Sequence, residues 1–276
     1  MKKISIVINL DTRPINLKEG EMGSGVTSSD LLVETVKNKI NFFKGFDIEV
    51  IAFIDLHNKI SPYDLSELLE ICDKVVLSKN KHWGSENCAE KPNDYNYLHA
   101  LSLAKGEYVA HFDMDMAAFT RNELPILSLI EMLDQHDFDY VCYPSEHTPA
   151  PCHDDSYDYW WASTRFFMCK RESLFLGHIQ ECLEDRNFFN QLYPSDKNLH
   201  WMEHILGRIS GKDRVIYPPF DLTNYAIFSF KTYHYGLMRE LNAMDYDSVG
   251  RYINSCRGIF YPCDLTAIPI KKDGNK

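Results

Sequence analysis

The chain has 276 residues, 45% hydrophobic and 25% charged, which suits one large α/β domain or two small ones. Its 29 basic against 40 acidic side chains leave a formal charge of −11, which argues against a surface built to coat nucleic acid and leaves room for one local basic pocket. Eight cysteines are scattered without a C-x-x-C pair, so neither a disulfide framework nor a clustered zinc site is expected, and reduced thiols in a cytoplasmic protein are.

The start, Met1-Lys2-Lys3, is basic, but its apolar run breaks at Asn9 and Asp11, which makes a poor signal peptide. No apolar stretch is long enough to span a bilayer, while peripheral contact with a membrane surface stays open. Ile4 to Leu10 is β-branched and almost continuously apolar, as in a central parallel strand buried on both faces. It runs into Asp11-Thr12-Arg13-Pro14, where proline stops the strand and polar groups gather at its carboxyl end. Ligands bind at that end of open α/β sheets, so Asp11 and Arg13 are either nucleotide contacts or ordinary loop polarity.

Residues 18–29 are rich in Gly and Ser without a phosphate-loop pattern, and read as an insertion near the site. A helix follows over Leu31 to Phe43, with apolar residues at 32, 33, 36, 40 and 43. Phe46 to Ile54 is a second strand ending at Asp55, a carboxylate placed to accept from a base or ribose, or else a turn residue. Ser61-Pro62 opens a helix through Ile71, Lys74 to Leu77 is a third strand, and 79–93 is a long polar loop. Asp94 to Ala104 reads as a helix closed by Lys105-Gly106.

A strand over Tyr108 to Met116 comes next, carrying Asp113 and Asp115 at i and i+2. In an extended strand that spacing sends both carboxylates to one face, where a hard cation such as Mg²⁺ or Mn²⁺ would remove their repulsion. The bland alternative is a strand that ends in two solvated acids. The order β-α-β-α-β-α-β up to this point implies parallel pairing and a nucleotide-binding half-domain.

Further on, Leu124 to Gln135 reads as a helix, Tyr140 to Tyr143 and Ser163 to Cys169 as strands, and Arg171 to Leu183 as a helix. Trp160 and Trp161, beside Tyr157 and Tyr159, form an aromatic surface suited to stacking on sugar rings, or else to a core. Ser195 to Ile209 is an amphipathic helix carrying Trp201, Glu203 and His204. Val215 to Tyr217 and Ala226 to Tyr233 are late strands, the second running into His234. Residues 268–276 read as a flexible polar tail.

An early strand into Thr12-Arg13-Pro14, a helix with Asn96 and Ala100, the run Ala104-Lys105-Gly106-Glu107-Tyr108 and a strand entering Asp113-Met114-Asp115 together resemble GT-A glycosyltransferases. The likeness is to the large family of bacterial polysaccharide and lipopolysaccharide sugar transferases, and it covers residues 1–120. It implies an α/β fold with a Rossmann-like, mostly parallel sheet flanked by helices. Residues 1–120 would form the nucleotide-sugar-binding half, and 121–267 the acceptor-binding half of the same domain.

The resemblance further implies that Asp113 and Asp115 hold Mn²⁺ or Mg²⁺ on the diphosphate of a nucleotide-sugar donor, with Asp11, Thr12, Arg13 and Asp55 around the nucleotide. His234 matches a late histidine on the metal or diphosphate. Glu203 matches the general base of an inverting enzyme, although the second acid expected beside it is His204, and either is able to take the proton. The acceptor, a glycan, lipid-linked or small molecule, would meet Trp160 and Trp161. The strand end at Ile54-Asp55-Leu56-His57 is shorter in acids than in many members, and the first-strand loop is longer, which leaves the base open. Two other readings stand beside this one: a sugar-phosphate nucleotidyltransferase, and a carbohydrate-binding relative without catalysis.

Overall fold

The computed structural model describes residues 3–11, 29–56, 59–78, 98–114, 116–136, 138–142, 165–184, 206–207, 209–211, 214–216, 225–229 and 238–255. Four strands form a parallel group: β1 (Lys3–Asp11), β2 (Asp47–Asp55), β3 (Lys74–Ser78) and β4 (Tyr108–Asp113), in the order β3-β2-β1-β4. Three more complete a seven-stranded sheet. β7 (Phe166–Lys170) lies antiparallel to β4, β6 (Tyr140–Cys142) antiparallel to β7, and β8 (Val215–Ile216) parallel to β6.

The near-continuous apolar runs have a simple cause: alternate residues are buried on opposite faces of the sheet. One core contains Ile4, Ile6, Ile8 and Leu10 with Val50, Ala52, Ile54, Ala110 and Phe112. The other takes Val7, Ile51, Phe53 and Val109. On the first face pack α1 (Ser29–Phe42), α2 (Pro62–Ile71) and α3 (Leu124–Gln135), through Leu32, Val36, Leu68, Ile126, Leu129 and Leu133. The opposite face is covered by the helical residues 98–102 and by α4 (Leu176–Glu184), through Leu98, Leu101 and Ile179. This is the α/β architecture of a mostly parallel sheet flanked by helices that the resemblance implies. No helix among the described residues is long and apolar enough to cross a membrane.

Several boundaries agree closely with expectation. Ser61 caps α2, its Oγ accepting from the Asp64 amide at 3.1 Å, and α3 covers the residues read as a helix. Others differ. The strand read as continuous over 108–116 stops at Asp113; Met114 is a turn, and β5 (Met116–Thr120) leaves the main sheet to pair antiparallel with β9 (Tyr225–Ser229). The period-2 argument for two carboxylates on one strand face therefore does not carry across this turn.

The helix read over 171–183 is broken. A 3-10 turn, Arg171–Leu174, ends at Phe175, which is left-handed at φ 49°, and α4 starts after it. Helices α5 (Met238–Asn242) and α6 (Tyr246–Ser255), which pack Met238, Leu241 and Val249 into the first core, were not expected.

Candidate active site

In open α/β sheets the strand order marks the edge where ligands bind. From β1 the chain adds β2 and β3 on one side, then returns to place β4 on the other, so the order reverses between β1 and β4. At such a switch point the connections leave the carboxyl ends in opposite directions and open a crevice. The helices follow the same logic: α1 and α2, after β1 and β2, cover one face, whereas 98–102, before β4, covers the other.

Asp113 is the last residue of β4 at this edge, in register with Asn9 of β1. Asp11 ends β1 two residues further on and is the main-chain partner of Asp55, which ends β2. Three of the expected site residues thus stand at the carboxyl ends of three neighbouring strands. The Asp113 amide donates to the Arg165 carbonyl at 2.9 Å, which ties the end of β4 to the start of β7. Its side chain is part-exposed, and Oδ1 lies 3.3 Å from Nε2 of the fully buried His111. The His111 ring in turn lies against Phe167 at 5.3 Å between centroids.

His111 was given no role from sequence. The signal was its i, i+2 spacing from Asp113, which on a strand puts both side chains on one face.

Thr12, Arg13, Asp115, Trp160, Trp161, Glu203, His204 and His234 lie outside the described residues. Among the described residues no group of three or more His, Cys, Asp or Glu is arranged to hold a metal ion. Thiolate chemistry is not available at two of the described cysteines. Burial, with the Asp73 charge adding, pushes the Cys72 thiol up to about 12, and burial likewise raises Cys169 well above its ordinary value.

The Ala104-Lys105-Gly106-Glu107-Tyr108 run, the most specific part of the resemblance, sits at the opposite edge of the sheet. There the Gly106 amide donates to Ser5 Oγ at 2.7 Å, and the Lys105 amide to Glu49 Oε2 at 2.8 Å. A Cβ at position 106 would stand 2.6 Å from the Ser5 nitrogen and 2.8 Å from the Lys3 carbonyl. Glycine is needed for this close approach. Tyr108 then anchors α3, its hydroxyl donating to Asp134 Oδ1 at 2.7 Å. The run builds the frame that delivers β4, and with it Asp113, to the far edge.

No family model matches the chain, and no curated protein does. Among solved structures it is similar to the mannosyltransferase PcManGT from Pyrobaculum calidifontis in complex with GDP-Man and Mn²⁺, at 13% identity over 79% of this chain and 55% of that one, TM-score 0.42. It is also similar to S. aureus TarS 1–349, at 12% identity over 77% and 57%, TM-score 0.42. A third is the galactosyltransferase LgtC in complex with donor and acceptor sugar analogs, at 12% identity over 78% and 73%, TM-score 0.46. The chain spans little more than half the length of the first two. At these identities and scores the likenesses decide nothing about chemistry, which rests on the chain's own residues.

Proposed function

We propose that this chain is a metal-dependent, inverting glycosyltransferase that moves a sugar from a nucleotide-diphosphate donor to a glycan, lipid-linked or small-molecule acceptor, in bacterial glycan or polysaccharide biosynthesis. One observation carries the reading: Asp113 ends β4 at the switch point of a parallel sheet, with Asp11 and Asp55 ending the two strands beside it. Residues 1–120 would bind the donor and 121–267 the acceptor.

Asp113 supplies the oxygen donor that a hard divalent cation takes. Its carboxylate is open in part to solvent and lies 3.3 Å from Nε2 of the buried His111. Asp113 and Asp115 would hold Mn²⁺ or Mg²⁺, with His234 completing the set, and Asp11, Thr12, Arg13 and Asp55 would hold the nucleotide. When bound, the cation supplies Lewis-acid neutralisation of the charge that gathers on the leaving diphosphate. Glu203, or His204 beside it, takes the acceptor hydroxyl proton as that oxygen bonds to the anomeric carbon and the carbon–oxygen bond to the diphosphate breaks. Trp160 and Trp161 offer aromatic faces to the acceptor.

Calorimetry of uridine and guanosine diphosphate binding, with Mn²⁺ and with EDTA, tests the reading directly. Asp113→Ala and Asp115→Ala should each abolish the Mn²⁺-dependent part. Equal affinity in wild type and both variants, indifferent to EDTA, overturns it.

A further inference from the structure

Two buried polar side chains of α1 reach the main chain of β5, just past Asp113. Lys39 is completely buried; its Nζ donates to the Met116 carbonyl and lies 5.8 Å from the centroid of the Phe112 ring. Phe112 immediately precedes Asp113, so the ammonium group that holds the Met116 carbonyl also stands over the ring of Asp113's neighbour. Asn38, also buried, donates from Nδ2 to the Ala118 carbonyl at 3.0 Å and accepts from the Ala118 amide through Oδ1 at 2.9 Å. Its amide thereby takes both main-chain groups that Ala118 would otherwise offer to a further strand.

The anchorage extends to a third element. Asn38 Nδ2 also donates to Asn242 Oδ1 at 3.0 Å. Asn242 Nδ2 donates to the Glu34 carbonyl at 2.9 Å and to Glu34 Oε2 at 3.0 Å. A core position of this kind asks for no charge on stability grounds: burying an ammonium is unfavourable until its contacts offset it. An aliphatic side chain would fill the volume, but would not hold a carbonyl.

We propose that Lys39 and Asn38 are positioning residues for the cation and diphosphate site at Asp113, locking the start of β5 onto α1 and thereby setting how the chain leaves β4 at that carboxylate. A functional constellation has to be held to within about 0.5 Å, and buried hydrogen bonds to the main chain just past Asp113 supply that rigidity. The inference rests on the donor-site reading, and the two fail differently.

The test combines amide hydrogen exchange with calorimetry of Mn²⁺ and uridine or guanosine diphosphate on wild type, Lys39→Met and Asn38→Ala. Two controls on the same helix accompany them. Lys37→Ala removes an ion pair to Glu67 of α2 at 2.6 Å, and Val33→Ala truncates a core residue. Lys39→Met and Asn38→Ala should speed exchange of the amides at 114–118 and weaken Mn²⁺-dependent binding about 10- to 100-fold, while both controls keep wild-type Mn²⁺ affinity. If Lys39→Met does not fold, Asn38→Ala carries the same two readouts.

Unchanged exchange at 114–118 overturns the proposal. So does faster exchange with Mn²⁺ affinity no worse than that of Val33→Ala, because the role is then only structural. A wild-type protein with no Mn²⁺-dependent binding overturns the donor-site reading itself, and that result is visible before any variant is made.

Discussion

Glu49 is a carboxylate almost removed from water, 4% exposed, at the amino edge of the sheet. Burial pushes its proton affinity up. Hydrogen bonds from Lys74 Nζ at 2.7 Å, Ser5 Oγ at 2.6 Å and the Lys105 amide at 2.8 Å, with the Lys74 charge, outweigh burial and hold it below its ordinary value of 4.5. A depressed folded-state value means that the charged form stabilises the protein above 4.5, and that this contribution is lost as pH falls through the lower, folded value. Glu49→Gln should therefore cost about 1.5–3 kcal/mol near neutral pH, and should flatten the acid limb of stability against pH. Urea midpoints measured for both proteins from pH 7 downward check this. A cost that stays constant through the acid range would show that the charge is not what matters. None of this was legible in the sequence, where Glu49 is simply the polar residue of a strand. Lys39 left a fainter trace: it lies three residues from Val36, on the helix face that the apolar residues define.

At the scale of elements, the strands that carry the candidate site were legible because burial on both faces writes continuous apolar runs, and β1, β2 and β4 are such runs. The direction of β7 was not, since Phe166–Lys170 would read the same in either sense. Nor was β5: Met116-Ala117-Ala118-Phe119-Thr120 follows β4 after two residues, and only its partner β9, more than 100 residues later in the chain, makes it a separate strand. The break at Phe175 was hidden because apolar spacing continues through Leu174, Leu176 and Ile179 on both sides of it. The Gly106 turn was recognised as a family mark, and its packing against Ser5 and Lys3 gives the physical reason. A methyl group there collides with main chain, which cannot rotate away, so Gly106→Ala should cost about 1–3 kcal/mol. The affinity of the folded fraction for Mn²⁺ and nucleoside diphosphate should stay as it was. Denaturant titration and calorimetry separate the two effects, and lost affinity with unchanged stability would assign Gly106 to the site instead.

At the scale of the molecule, the two edges of the sheet do different work. The amino edge is bonded shut by Ser5, Glu49, Lys74, Lys105 and Gly106, whereas the carboxyl edge presents Asp113 partly open to water. Binding at the open edge of a frame closed at the other should stabilise the whole domain by mass action, by about 2.7 kcal/mol at a hundredfold excess over Kd. For a chain of this size that amounts to roughly 5–10 °C in Tm. A thermal-shift panel of nucleoside diphosphates, triphosphates and nucleotide sugars with Mn²⁺ should single out diphosphates and sugar donors of one base. EDTA and Asp113→Ala should each remove the shift, whereas Gly106→Ala should lower the starting Tm and keep it. A shift confined to triphosphates, with pyrophosphate released when a sugar phosphate is added, would replace the transferase reading by a nucleotidyltransferase, because the bond broken would then lie between phosphates rather than at the anomeric carbon.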